Sequence, residues 1–452
     1  MEKNLTTGSV FKNVIYFSLP YLLSYFLQTL YGMADLFMIG QFEGVASTTA
    51  VSVGSQVMHM LTVMIVGLAM GTTVSIGQAV GAGNRKQAAQ NIGNTVTLFM
   101  AVSVTLMVIL LVLVRPIVSV MSTPAEASDG TAAYLTICLI GIPFITPYNI
   151  ISSIFRGLGD SKSPMYFIAV ACAANIALDY LFMGALGLGP AGAALGTTLS
   201  QAVSVAVSLA VILKRKSIVL EKSDFRPCRP IMGKILKIGI PVAFQDGLIQ
   251  IAFIVITIIA NQRGLNDAAA VGIVEKVISF LFLVPSSMLS SVSALGAQNI
   301  GAGKPGRAVQ TLRYAIMLAT GFGVLATVTV QFIAEPIVAL FTDSSTANGA
   351  EVVRFGGQYL RGYIFDCIFA GIHFSFSGYF CACGKSGLSF LHNIVAIALV
   401  RVPGVYLTSR LFPTTLFPMG LATATGSLLS VIICLIAFAI ICRKSPLVQP
   451  EG

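Results

Sequence analysis

The chain has 452 residues, 56% of them hydrophobic and only 10% charged, with a mean hydropathy of +0.88. Soluble domains average about a quarter charged residues, so this one has too little polar surface to cover a water-soluble globule of its size. Its formal charge of +10 raises nucleic acid or a membrane surface as partners, and the placement of the basic residues decides between them and simple membrane orientation.

Apolar stretches of about twenty residues, each long enough to cross a hydrocarbon layer of about 30 Å as a helix, recur from end to end. They predict spans near 14–39, 48–73, 92–114, 131–153, 164–184, 190–213, 239–260, 270–293, 311–333, 357–380, 388–409 and 418–442. The first is far longer than the apolar core of a signal peptide and lacks a small-residue cleavage site, so it reads as a span. It carries Pro20, which lacks an amide donor and can kink the helix, and Asp35 fifteen residues later. In span ten Arg361 and Asp366 interrupt the apolar run, which requires that helix to face protein or a cavity.

With both termini in the cytoplasm, only Arg115, Arg263, Arg354, Arg361 and Arg410 fall on the opposite side, and Lys276 and Arg401 lie within spans. The remaining basic residues, densest from Lys214 to Lys237, face the cytoplasm, as the positive-inside rule requires. The basic excess therefore orients a multi-pass protein of the plasma or inner membrane, and nucleic acid is not an expected partner.

The second half repeats the first. GQAVGAGNRKQAAQ (77–90) matches AQNIGAGKPGRAVQ (297–310) at an offset of 220, RGLGDSKSP (156–164) matches CACGKSGLS (381–389) at 225, and GPAGAALGT (189–197) matches FPMGLATAT (417–425) at 228. Six crossings return the chain to its starting face, so the halves are parallel repeats related by an axis along the membrane normal. The expected fold is all-α, twelve transmembrane helices in two six-helix lobes. The N-terminal lobe takes 1–213, a basic cytoplasmic linker 214–237 and the C-terminal lobe 238–452. A cleft between such lobes suits a substrate exposed to one side of the membrane at a time.

Three motifs suggest chemistry and fail. Gly384-Lys385-Ser386 resembles the end of a P-loop, but Tyr379 stands where the leading glycine belongs and no strand precedes it. Gly157-Leu158-Gly159-Asp160 resembles an intramembrane protease motif, yet Asp160 lies between Arg156 and Lys162 in a predicted cytoplasmic turn. The eight cysteines lack zinc-like spacing apart from the isolated Cys381 and Cys383, and His59, His373 and His392 lie on different spans with no motif joining them. No enzyme, resident metal or cofactor is expected.

Ionisable groups within spans are functional candidates because their desolvation must be offset. Asn175 and Asp179 are four apart on span five, hence on one helical face able to look at Asp35. Two carboxylates in a low-dielectric pocket cannot both ionise cheaply. The pair either takes up a proton or holds Na⁺ with Asn175 as a neutral ligand, and a structural hydrogen-bond network is the alternative. In the C-terminal lobe Asp366 leads, followed by Glu275 and Asp246, and Arg401 occupies the repeat position of Asn175, where it would neutralise Asp366 or meet an anionic substrate.

Pro20 with YGMADLFMIG (31–40), GQAVGAGN (77–84), RGLGDSKSP (156–164), NIALD (175–179), GPAGAALGT (189–197) and ALGAQNIGAGK (294–304) together resemble the multidrug and toxic compound extrusion (MATE) family over essentially the whole chain. The resemblance implies a monomeric secondary antiporter that exports amphipathic or cationic small molecules in exchange for H⁺ or Na⁺, with Asp35, Asn175 and Asp179 as the N-lobe cation site. The family's C-lobe Na⁺ site carries over only at Asp366, since span seven offers Gln245, Asp246 and Gln250 rather than a glutamate. A flippase or exporter of a lipid-linked or endogenous metabolite on the same fold is the alternative.

Overall fold

The computed structural model describes residues 4–215, 220–342 and 345–444, and holds no strand among them. Among the described residues eleven helices are long and apolar enough to cross a membrane, and a bent pair counted as one span makes twelve. In the first half these are span 1 (Val10–Phe42), span 2 (Val45–Gly81), span 3 (Arg85–Val112), span 4 (the pair Ala125–Ile140 and Ile142–Gly157), span 5 (Lys162–Ala185) and span 6 (Gly189–Lys214). In the second half they are span 7 (Arg229–Asn261), span 8 (Leu265–Gly301), span 9 (Pro305–Ala339), span 10 (Ala347–Ala382), span 11 (Ser386–Leu411) and span 12 (Phe417–Arg443).

Spans 1 and 7 have 33 residues each and spans 2 and 8 have 37 each, and the helix-interior prolines Pro20 and Pro241 fall in their first halves, as the eleventh residue of span 1 and the thirteenth of span 7. At 1.5 Å per residue a 37-residue helix is about 55 Å long, well past the hydrocarbon layer, so hydropathy sees only its middle and stops short of polar ends such as Gly77–Gly81. Span 4 bends by 53° at Gly141 because Pro143, in the next turn, cannot donate to a carbonyl four residues back and its ring crowds that carbonyl. The repeated inner loops share one closure. Gly83, Gly159, Gly303 and Gly384 have φ of 70°, 88°, 69° and 69°, a left-handed conformation that side chains disfavour. After each, an amide reaches back around the helix end: Asn84 to Ala79, Asp160 to Phe155, Lys304 to Asn299 and Lys385 to Phe380. The residues that resembled a P-loop are one of these turns.

The chain divides into two compact units, one of Leu19–Ala243 and the other of Leu5–Ser18 with the described residues from 244 on. The division falls inside spans 1 and 7, whereas composition points to 214–237, of which 216–219 lie outside the described residues. Close helix packing explains the difference. A Cβ on Gly71 of span 2 would run into the Ile235 carbonyl, and one on Gly239 into the Leu68 carbonyl, so only glycine allows the start of span 7 to lie against span 2 in the first unit. The linker docks there too: Asn94 on span 3 donates to the Asp224 carbonyl (3.1 Å) and accepts from the Cys228 amide (2.7 Å). In the second unit the N-terminal segment is held by Lys304 Nζ to the Thr6 carbonyl and Arg307 Nη2 to the Gly8 carbonyl, both 3.0 Å, and by Phe11 edge-on to Tyr314.

Each unit is apolar outside as well as in its core. Leu325, Phe332 and Val112 point outward, while Thr73, Ser153, Asn175, Ser291 and Thr423 are buried and small enough for close helix approach. Span 10 is 72% buried over its apolar stretch, and the two charges that interrupt that stretch are provided for: Arg361 pairs with Glu335 at 3.0 Å and Asp366 is fully buried against a cation.

Candidate functional site

In the first unit Asp35, Asn175 and Asp179 come together from spans 1 and 5. All three are buried, Asp35 at 3% exposure and the other two at 0%. The i, i+4 spacing brings Asn175 Nδ2 to donate to Asp179 Oδ1 at 3.3 Å, and Asp35 neighbours both from span 1. Immediately after Asp179, span 5 widens into a π-helical stretch, Tyr180–Ala185, a departure from α geometry that recurs at functional positions. Span 6 closes the site: Thr197 Oγ1 donates to Asp35 Oδ2 at 3.0 Å, and Tyr31, one turn before Asp35, donates from its hydroxyl to the Thr197 carbonyl at 3.3 Å.

What remains unsatisfied defines the chemistry. Among the described residues Asp35 Oδ1, Asn175 Oδ1 and Asp179 Oδ2 are buried with no donor in hydrogen-bonding geometry, and no basic side chain bonds to them. Three buried acceptors without a donor suit a small cation, either one proton shared by the two carboxyl groups or Na⁺ with oxygen ligands. Thr197, Tyr31 and Gly196 went unrecognised in the sequence, although all lie in segments whose pattern stood out. Gly196 has a steric reason to be glycine, since a Cβ there would collide with Asp179 Oδ1. Gly196→Ala should displace the Asp179 carboxylate at a cost of about 1–3 kcal/mol, seen as a lowered unfolding temperature together with lost transport; unchanged values of both would show that the carboxylate is free to move.

In the second unit Arg401 Nη2 pairs with Asp366 Oδ2 at 2.7 Å and also donates to Ser427 Oγ at 2.8 Å. Arg401 ends a π-helical stretch of span 11, Ile397–Arg401. Glu275 accepts from Thr257 Oγ1 at 3.1 Å and has one oxygen without a donor, and it shares with the ion pair the neighbouring Tyr359 and Tyr363. Asp246 is not brought to this cluster; it is half-buried beside Gln245 and Cys381. The structure does join two histidines that sequence left separate. His373 and His392 have ring centroids 5.5 Å apart, and His373 shares with Arg401 a recess of about 370 Å³ of atom-free space. Their spacing of nineteen residues across a turn holds no periodic signal, so only helix packing reveals them. Among the described residues no three His, Cys, Asp or Glu side chains are placed to hold a metal ion.

The MatE family model matches residues 20–181 and 241–407, covering most of both halves. A probable multidrug resistance protein YpnP of Bacillus subtilis is 29% identical over 94% of this chain and 93% of its own length. A second from the same organism, YoeA, is 30% identical over 74% of each. The solved outward-facing structure of a multidrug resistance MATE transporter of the MOP superfamily superposes with a TM-score of 0.89 at 21% identity, covering 97% of both chains. Twelve spans in two repeated halves, a buried carboxylate site in the first and a family match spanning both make this chain a member of the MatE family, a multi-pass membrane transporter and not an enzyme.

Proposed function

We propose that the protein is a secondary antiporter that exports amphipathic or cationic small molecules in exchange for H⁺ or Na⁺, as a monomer in the cell membrane with both termini cytoplasmic. The observation that carries this reading is the set of three buried acceptor oxygens on Asp35, Asn175 and Asp179. Such a site is costly when it is both charged and without a cation, and binding one relieves that cost, so its occupancy is coupled to which side of the membrane it faces. Thr197 and Tyr31 tie the site to spans 1 and 6, so a change in occupancy is felt by three helices at once. The relatives described as multidrug resistance proteins support a broad amphipathic substrate class.

The test is ethidium accumulation in a pump-deficient bacterium expressing the chain, with a protonophore and, separately, with Na⁺ removed. Lowered accumulation that the protonophore abolishes and Na⁺ removal leaves alone identifies H⁺ as the coupling ion; the reverse pattern identifies Na⁺. Accumulation equal to the empty vector across a broad panel of compounds would overturn the reading in favour of an endogenous or lipid-linked substrate.

A further inference from the structure

The first unit holds a second recess, whose charged group is opposite in sign to those of the carboxylate site. Arg156, in the last turn of span 4, lines it with Tyr21, Tyr25, Gln28, Tyr148 and Ser161. A guanidinium has five N–H donors in a planar fork. Here one protein acceptor is met, Ser153 Oγ at 2.7 Å from Nη2, and Nε is buried without any. Its cationic face lies 5.2 Å from the centre of the Tyr21 ring, which fixes the plane of the fork. No carboxylate pairs with it among the described residues. Asp160, four residues on, accepts instead from the amides of Lys162 and Ser163, both at 3.0 Å, and from Ser163 Oγ at 2.6 Å. Independently, Ser161 Oγ lies on the same recess, 2% exposed and without a partner.

The contrast with Arg401, neutralised by Asp366 at 2.7 Å, sets Arg156 apart: it is a cation held in place by an aromatic ring and left without an anion. Tyr21, Gln28 and Asp35 recur at seven-residue intervals and so fall on one face of span 1, but fourteen residues of straight helix cover about 21 Å. Gln28, also on the recess, is seven residues or about 10 Å of helix from Asp35, but none of Asp35, Asn175 and Asp179 lines it, so the recess is a site of its own.

We propose that this recess binds the oxyanion, a carboxylate or a phosphate, of an aromatic or amphipathic acid, with Arg156 and Ser161 donating to it and the three tyrosines packing on its apolar part. The inference rests on the export reading for its physiological use, and its test reads binding so that the two can fail separately.

The test uses the purified full-length protein in phosphatidylcholine nanodiscs. Binding of norfloxacin, a fluorescent aromatic carboxylate, is compared with that of its methyl ester; the chain contains no tryptophan to interfere. Wild type should bind the acid about tenfold more tightly than the ester, as expected for a charge-assisted hydrogen bond. Arg156→Gln should bind the two alike, and Arg156→Lys should keep part of the difference. Equal binding of acid and ester by wild type, which needs no variant to fold, overturns the proposal, as does a full preference retained by Arg156→Gln. Adding phosphatidylglycerol distinguishes the sources of oxyanion. Loss of the acid's advantage, with this lipid retained by wild type and not by Arg156→Gln in native mass spectrometry, assigns the site to a lipid headgroup; an undiminished advantage assigns it to soluble acids. Failure of wild type to lower ethidium accumulation would sink the export reading and leave this binding result standing.

Discussion

Asp35→Asn should reduce ethidium export by at least about tenfold, towards the level of the empty vector, without lowering the protein's thermal stability. The two halves of this expectation come from different atoms. Asparagine has the shape of aspartate, so its side-chain oxygen still accepts from Thr197 Oγ1, now 3.0 Å from the carboxylate. Its amide then supplies a donor towards Asp179 Oδ2 and Asn175 Oδ1, which have none. A buried acceptor left unsatisfied costs about 1–3 kcal/mol, so meeting it offsets what is lost with the charge. What asparagine cannot do is release a proton or hold Na⁺ as a carboxylate does, and the gradient then has nothing to act on. Efflux and unfolding temperature measured on the same preparation separate this from a bracing role. A structural network would lose stability and transport together, and full efflux by Asp35→Asn would remove Asp35 from coupling altogether.

The architecture was legible because the bilayer imposes it. Backbone groups in hydrocarbon must bond internally, so a 56% hydrophobic chain with recurring apolar stretches has almost no choice but helices. The repeat followed from loops whose glycines have a fixed conformational duty, and Gly83, Gly159, Gly303 and Gly384 all adopt the left-handed turn. The Asn175 and Asp179 contact was legible because i, i+4 geometry is local. The features that escaped are those set by packing between helices. Nothing in hydropathy marks Gly71 and Gly239 as the points where span 7 lies against span 2, since both are glycines in apolar runs that contain many others. Arg156 reads from sequence as one more cytoplasmic anchor in RGLGDSKSP, and its lack of an anion becomes visible only when Asp160 is seen bonded to other groups. The bend of span 4 at Gly141 was not read from the sequence, although Pro143 stands in the turn after it.

Removing either partner of the Arg401 and Asp366 pair should destabilise the second unit more than any other single change. Asp366 is fully buried and Arg401 nearly so, and their atoms approach to 2.7 Å. Taking one charge away strands the other in a low-dielectric interior, a loss of about 3–5 kcal/mol. Asp366→Asn and Arg401→Gln should therefore each lower the unfolding temperature of the purified protein markedly. Replacing both by apolar residues of similar volume, Asp366→Leu with Arg401→Met, should recover most of that loss, because two desolvation costs vanish with the attraction. Transport by the double variant then decides what the pair is for. If export returns with stability, the pair only braces spans 10 and 11. If stability returns and export does not, its making and breaking belong to the transport cycle, and the unbonded oxygens of Asp366 and Glu275 beside Tyr359 and Tyr363 are where a second coupled cation would act.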